Sequence, residues 1–325
     1  MKKIKLLFVC ILCLSMISGC VGNMSNTGSS NGKIRIYLTL SQADAFRTSL
    51  VNAALEEAEK QGVEIVSEDA NGVLETQVQH IKNAVSEGYD VILCNPVNTD
   101  TALELEDLAG DIPIVFFNSC PEDKRLKADK YIYVGSNDED AGRYQAEYIL
   151  DKGADKSEIN VVIMQGELSH SATGARTNSL IKCLMESGKN VNIVFKDTAD
   201  WDQAVAKDMF NTFLTTNQPY DFVACNNDTM ALGVIDAMKE NNISPSSVPV
   251  LGVDATTDGC ASISAGDMVF TVMQPAKGQG EYAIKAAVAL AQGKSISDIE
   301  GATDDNKYIY VPFEKVTTEN VSNYK

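Results

Sequence analysis

Val161–Arg176, VVIMQGELSHSATGAR, decides how the chain is read. It opens as a run of β-formers, Val161-Val162-Ile163-Met164, and breaks at Gly166. A polar loop, Glu167-Leu168-Ser169-His170, leads into a helix-like pattern that carries Arg176. An apolar run ending in a Gly-bearing loop is how an α/β protein brings polar side chains to the carboxyl edge of a parallel sheet, where ligands bind. His170 and Arg176 stand on opposite sides of that strand-to-helix turn.

The same layout recurs from Lys33 onward. Strands are predicted at 34–39, 63–67, 91–94, 114–117, 161–164, 191–195, 222–225, 250–253 and 269–273. Amphipathic helical segments at 49–61, 77–87, 142–150, 178–187, 204–214 and 229–240 separate most of them. This alternation predicts an α/β protein whose parallel sheets are covered on both faces. Nine strands crowd a single sheet, so two lobes, each with its own doubly wound parallel sheet, are expected.

Several predicted strands end in polar or aromatic side chains. Asp44 and Phe46 follow the first, Asn118 the fourth, and Trp201, the single Trp, the sixth. Asn226-Asn227-Asp228, Asp254 and Gln274 close the last three. Any one Asp or Asn there could be a helix cap. As a series, carboxylate, amide and guanidinium groups can each hold hydroxyls, while aromatic faces stack on the C–H faces of a ring. That chemistry suits a neutral polyol.

The chain has 325 residues, with 27 basic and 45 acidic side chains and a formal charge of −18. This balance argues against nucleic acid or an anionic membrane surface as partner. At the N-terminus Lys2, Lys3 and Lys5 precede an apolar run, Leu6 to Ile17, too short to span a bilayer. It closes on Ile17-Ser18-Gly19-Cys20 and resembles a bacterial lipobox, which implies removal of residues 1–19 and lipidation of Cys20. Residues 20–32 then read as the acylated Cys and a flexible tether. Of eight cysteines, five lie beyond the leader and anchor: Cys94, Cys120, Cys183, Cys225 and Cys260. An odd number without CxxC spacing describes neither a disulfide framework nor a zinc site.

Six stretches, in order over both halves, carry a family resemblance: Ile114–Asn118 (IVFFN), Tyr133–Gly135 (YVG), Gly174–Thr177 (GART), Asp200–Asp202 (DWD), Ala224–Gly233 (ACNNDTMALG) and Gly252–Ala255 (GVDA). From about Ile34 onward the chain resembles bacterial sugar-binding proteins of ABC transporters, of the type I periplasmic binding protein fold. Among these it is most similar to the galactose/glucose-binding proteins. The resemblance implies a three-crossover hinge, with residues 33–134 plus 276–310 as lobe one and 136–273 plus 313–325 as lobe two. It implies that Phe46 and Trp201 sandwich a pyranose ring and that Asp44 takes the hydroxyl at carbon 4. Asn118, Arg176, Asn227 and Asp254 would hold other ring hydroxyls, and His170 the one at carbon 6. It further implies a monomer, anchored to the membrane through its lipid only and facing the extracytoplasmic side. The implied partners are a sugar, a permease and, besides or instead of the permease, a chemoreceptor or sensor kinase.

The chain also departs from the pattern. His170-Ser171-Ala172 stands where those proteins have His-Pro-Asp, so Ala172 lacks the carboxylate that faces the anomeric hydroxyl. Gln274 replaces their Asn, as in ribose-binding relatives, and the segment Ser41–Phe46 is one residue longer. Lys152–Asn160 is too short for their calcium loop and lacks its ligand pattern, so no calcium or other cofactor is expected. A pentose or a glycoside is thus an alternative to galactose or glucose.

Enzyme readings fare poorly. His80 and His170 are the only histidines, and HExxH, GxSxG and Walker motifs are missing. The sugar-sensing domain of a transcription repressor is disfavoured by the lipobox and the lack of a helix-turn-helix.

Overall fold

The computed structural model describes residues 32–324. The predicted leader, Cys20 and most of the tether therefore lie outside the described residues. In chain order the first half runs β1 (Arg35–Leu40), α1 (Ala45–Gln61), β2 (Glu64–Asp69), α2 (Leu74–Ser86), β3 (Val91–Cys94), α3 (Ala102–Ala109), β4 (Ile114–Phe117) and β5 (Tyr131–Gly135). Next come α4 (Asp138–Lys152), β6 (Ile159–Gln165), α5 (Ser171–Glu186), β7 (Val191–Thr198), α6 (Gln203–Leu214), β8 (Phe222–Cys225) and α7 (Asp228–Glu240). The remainder is β9 (Val250–Leu251), α8 (Thr257–Ala265), β10 (Phe270–Met273), α9 (Ala276–Ala291), β11 (Tyr308–Tyr310) and β12 (Glu314–Thr317).

These strands form two six-stranded sheets, ordered β11-β5-β4-β3-β1-β2 and β12-β10-β9-β8-β6-β7. All pairings are parallel except β10 with β12. Continuous apolar runs explain the arrangement: VILC, IVFF and FVAC of β3, β4 and β8 are buried throughout, as strands covered on both faces must be. Because side chains alternate across a strand, β6 feeds two layers. Val161 and Ile163 pack with Ile149, Leu180 and Phe222, while Val162 and Met164 pack with Phe210, Val223 and Val234. Cys94 and Cys225 are buried in β3 and β8, where burial pushes their thiols well above the usual range.

Three strands and three helices escaped the sequence reading. β5, β11 and β12 are short, and their tyrosines and charged residues mask the apolar signal; α3, α8 and α9 lie outside the six helical segments named above. α5 begins at Ser171, seven residues before the predicted start, because Ser-Ala-Thr-Gly reads as loop until His170 caps it. α1 likewise begins at Ala45, with Asp44 as its cap.

The chain passes between the sheets after β5, after β10 and after β11. The strands between passages are held to each other. Ser136 Oγ donates to the Val311 carbonyl at 2.7 Å and accepts from Gln279 Nε2 at 3.0 Å, while Val311 N donates to the Gly135 carbonyl at 2.9 Å. Hydrogen bonds also join the facing loops of the two sheets. Cys120 N donates to Ser171 Oγ at 2.8 Å, and His170 Nε2 lies 3.4 Å from Asn118 Oδ1. The loops at the carboxyl ends of the two sheets therefore meet across a narrow cleft.

Candidate functional site

Eleven residues line that cleft, whose empty space, open to solvent, is about 350 Å³. They are the nine predicted site residues together with Arg47 and Ala172. A larger groove of about 1040 Å³ lies between α4 and β12, but none of those nine side chains reaches it.

Capping and cleft-lining turn out to be one role, not two alternatives. Asp44 Oδ1 accepts from Arg47 N at 2.7 Å, and Asn227 Oδ1 accepts from Met230 N at 3.0 Å. His170 Nδ1 accepts from Ala172 N at 3.2 Å. A cap residue stands where a strand's loop turns into a helix, so in a parallel sheet it also stands at the carboxyl edge. The cap bond fixes the side chain and leaves the rest of it toward the cleft. For His170 it also fixes the tautomer: Nδ1 accepts, so Nε2 carries the proton and points it at Asn118 Oδ1. Burial, then the charges of Arg47 and Arg176, hold the imidazole well below its usual pKa, so it is neutral.

Arg176, on the second turn of α5, is the buried centre of the site. Nε donates to Asp138 Oδ1 at 2.9 Å, Nη1 to the Asn226 carbonyl at 2.7 Å, and Nη2 to Gln274 Oε1 at 3.1 Å. Asp254 Oδ1 lies 3.8 Å from Nη1. Burial raises the Asp254 carboxyl well above the usual range; Arg176 opposes this, and Asp228, Asp44 and Asp138 reinforce it. Asp254 holds φ at +110° and Asn118 at +61°, uncommon backbone that aims each side chain out of its strand end.

The two aromatics come from different sheets. Phe46 sits on the first turn of α1, against the core of the first sheet. Trp201 follows β7 and meets His170 edge-on, with ring centroids 5.5 Å apart at 78°. Its Nε1 is buried without a protein acceptor. Gly166, the break in the opening stretch, has a structural reason: a Cβ there would lie 2.1 Å from Trp201 Cζ2.

Arg47, Ser171 and Asp138 were missed. Arg47 lies three residues after Asp44, on the same face of the first helical turn, and its Nη1 is 3.1 Å from Asp44 Oδ2. Starting α1 at Ser49 hid that spacing. Asp138 is remote in sequence from Arg176, and only tertiary packing pairs them.

Buried acids give stability a pH dependence. Asp228 accepts from Thr271 Oγ1 at 2.5 Å and Thr256 N at 2.8 Å, yet burial pushes it up to about 7. Glu106, buried on α3, is likewise pushed up to about 7. Each carboxyl keeps a proton that the unfolded chain has lost, so its contribution is full below about pH 4 and is lost as pH rises through about 7. His170 acts in the opposite sense: its contribution is present above about pH 6.5 and fades below it. Between pH 6.5 and 8 the acids act alone, and unfolding free energy should fall by on the order of 1 kcal/mol. Denaturant titrations at the two pH values measure this; a rise with pH would refute it, and Asp228→Asn should flatten the slope.

Comparison with known proteins agrees with this architecture. Residues 36–295 match the periplasmic binding protein domain family. The chain is 35% identical over 286 residues to a putative rhizopine-binding protein of Rhizobium meliloti, covering 87% of this chain and 89% of that one. It is 27% identical to the D-galactose/methyl-galactoside binding periplasmic protein MglB of Haemophilus influenzae, over 96% of this chain and 98% of the relative. Among solved structures, an ABC transporter solute binding protein from Bacillus halodurans C-125 with bound myo-inositol superposes with a TM-score of 0.81 at 31% identity, covering 92% of this chain and 99% of that chain. Two parallel-sheet lobes, the family match over most of the chain and these relatives agree: the chain belongs to the periplasmic binding protein domain family, type I fold.

Proposed function

We propose that the protein is the extracytoplasmic solute-binding component of an ABC transporter and captures a neutral ring polyol between its two lobes. The observation that carries this reading is that one cleft at the carboxyl edges of both sheets gathers Asp44, Phe46, Asn118, His170, Arg176, Trp201, Asn227, Asp254 and Gln274. Caps and ion pairs already position most of these polar groups, so a solute meets preorganised partners. The aromatics offer ring faces, and the carboxylates and amides offer hydroxyl partners.

Galactose or glucose is the first candidate solute, and the MglB relative supports it. A cyclitol is the second reading, favoured by the 31% identity to the protein solved with myo-inositol. Ala172, buried in the cleft wall, presents no acceptor where the galactose/glucose pattern has a carboxylate. We further place the protein on the membrane through an acylated Cys20. Its partner would be a permease, with a chemoreceptor or sensor kinase as an additional receiver. The closed lobes would be the form the partner recognises. No catalytic step is proposed, and no calcium is required.

Calorimetric titration against galactose, glucose, myo-inositol, ribose and xylose, with and without EDTA, tests the reading. Binding of galactose, glucose or myo-inositol at micromolar Kd or below, indifferent to EDTA, is expected. A pentose binding alone would transfer the site to the alternative, and silence toward all five would refute the polyol assignment. Mass analysis of the membrane-bound protein and of Cys20→Ala tests the anchor.

A further inference from the structure

The cleft does not end at Arg47. On the far side of that guanidinium lies a second chamber, with about 570 Å³ of empty space against about 350 Å³ in the cleft. Arg47 and His170 line both, so one guanidinium and one imidazole are the wall between them. Like the cleft, the chamber is built by both lobes at the carboxyl edges of the strands. Ser41 and Gln42 follow β1, Ser119 follows β4, and Glu167 and Ser169 follow β6.

The chamber's chemistry is specific. Three hydroxyls, an amide, a carboxylate and a guanidinium face it, with Pro96 and Val97 as the apolar contribution. An apolar occupant would cut those groups off from water without replacing their hydrogen bonds. An anionic occupant would meet Glu167 and find Arg47 already held by Asp44 Oδ2 at 3.1 Å and the Gln42 carbonyl at 3.2 Å. What suits the walls is a neutral, hydroxyl-bearing group.

We propose that this chamber is a subsite for a hydrophilic substituent carried by the ring in the cleft. The protein would then take a glycosylated ring, such as a disaccharide or a glycosyl cyclitol, as well as the bare ring. The proposal rests on reading the cleft as a polyol site and extends it past Arg47. The substituent leaves the ring on the Arg47–His170 side and exchanges hydrogen bonds with Gln42, Ser119, Glu167 and Ser169.

The test is titration of the full chain with galactose, glucose and myo-inositol, and with melibiose, lactose and galactinol, which carry those rings with a second ring attached. Two variants accompany it. Ser169→Trp, on an exposed loop, fills the chamber, and Gln42→Ala removes a polar partner without adding bulk. At least one two-ring solute is expected to bind within about tenfold of its bare ring. Ser169→Trp should weaken that solute by about tenfold or more while changing the bare ring less than about twofold. Gln42→Ala should act in the same direction, more mildly. A bare ring that binds while all three two-ring solutes are rejected would overturn the subsite and leave the cleft reading standing. Equal loss for bare and two-ring solutes in both variants would also overturn it. Silence toward all six would remove the cleft reading and the subsite with it.

Discussion

Arg176→Met should lower unfolding stability by about 3–5 kcal/mol, because it removes one partner of a buried ion pair and leaves the other behind. The guanidinium is 3% exposed and joins four segments: Asp138 at the start of α4, Asn226 after β8, Asp254 after β9 and Gln274 after β10. Met keeps the volume and loses the donors, so Asp138, the Asn226 carbonyl and Gln274 Oε1 each lose a hydrogen bond in a site that water barely reaches. Binding should weaken by about 2–5 kcal/mol, some 30-fold or more, since Asp254 and Gln274 are no longer held in place. Arg176→Lys should recover part of the stability and less of the binding, because a single ammonium cannot serve three acceptors in a plane. Denaturant titration and calorimetry read the two effects separately. Stability in Arg176→Met within about 1 kcal/mol of wild type would show that the network is not what holds these loops.

Gly166→Ala should strike binding harder than folding. The added Cβ would lie 2.1–2.2 Å from Cζ2, Cε2 and Cη2 of Trp201, so the indole has to leave its position. The ring also meets His170 edge-on, with centroids 5.5 Å apart, a contact that its displacement would disturb. Asp200 and Trp201 already hold φ near +51° and +63°, which restricts how the loop can absorb a shift. The expected loss of affinity is 10- to 100-fold, about 1.4–2.8 kcal/mol, with a stability cost of about 1–3 kcal/mol from overpacking. Trp201→Ala should bind about as poorly as Gly166→Ala, and adding Gly166→Ala to Trp201→Ala should cost little more, since both act through one ring. Additive losses in the double variant would show that Gly166 acts on something other than the indole. Tryptophan fluorescence, from the chain's single Trp, reports the ring's displacement directly.

Some of this was legible in the residues. The alternation of strand-like and helix-like segments announced parallel sheets, and runs such as Val91–Cys94 and Phe222–Cys225, apolar at every position, are strands of them covered on both faces. Asp44, Asn118, Asn227, Asp254 and Gln274 were legible because each follows the end of its strand within a few residues, and chain direction puts them on one edge. β12 was not legible: it is an antiparallel edge strand, Glu-Lys-Val-Thr, with only Val316 buried, and its partner β10 lies some forty residues earlier. Arg47 was hidden by the misplaced start of α1. The chamber beyond Arg47 has no sequence signature, because it is a space between loops from two lobes.

Three things were readable before any folding: the alternation of strand and helix, the edge on which the polar residues collect and the family the chain resembles. The first two follow from local periodicity and chain direction, which neighbouring residues specify, and the resemblance from short motifs such as Asp200–Asp202 and Gly252–Ala255. Tertiary structure alone decided that Asp138 pairs with Arg176, that Ser171 bonds across to Cys120 and that Gly166 leaves room for an indole. It also decided that Arg47 divides two chambers. Each of these depends on how two sheets, joined by three passages of chain, come to face each other, and contacts between residues so far apart carry no periodic mark in either segment.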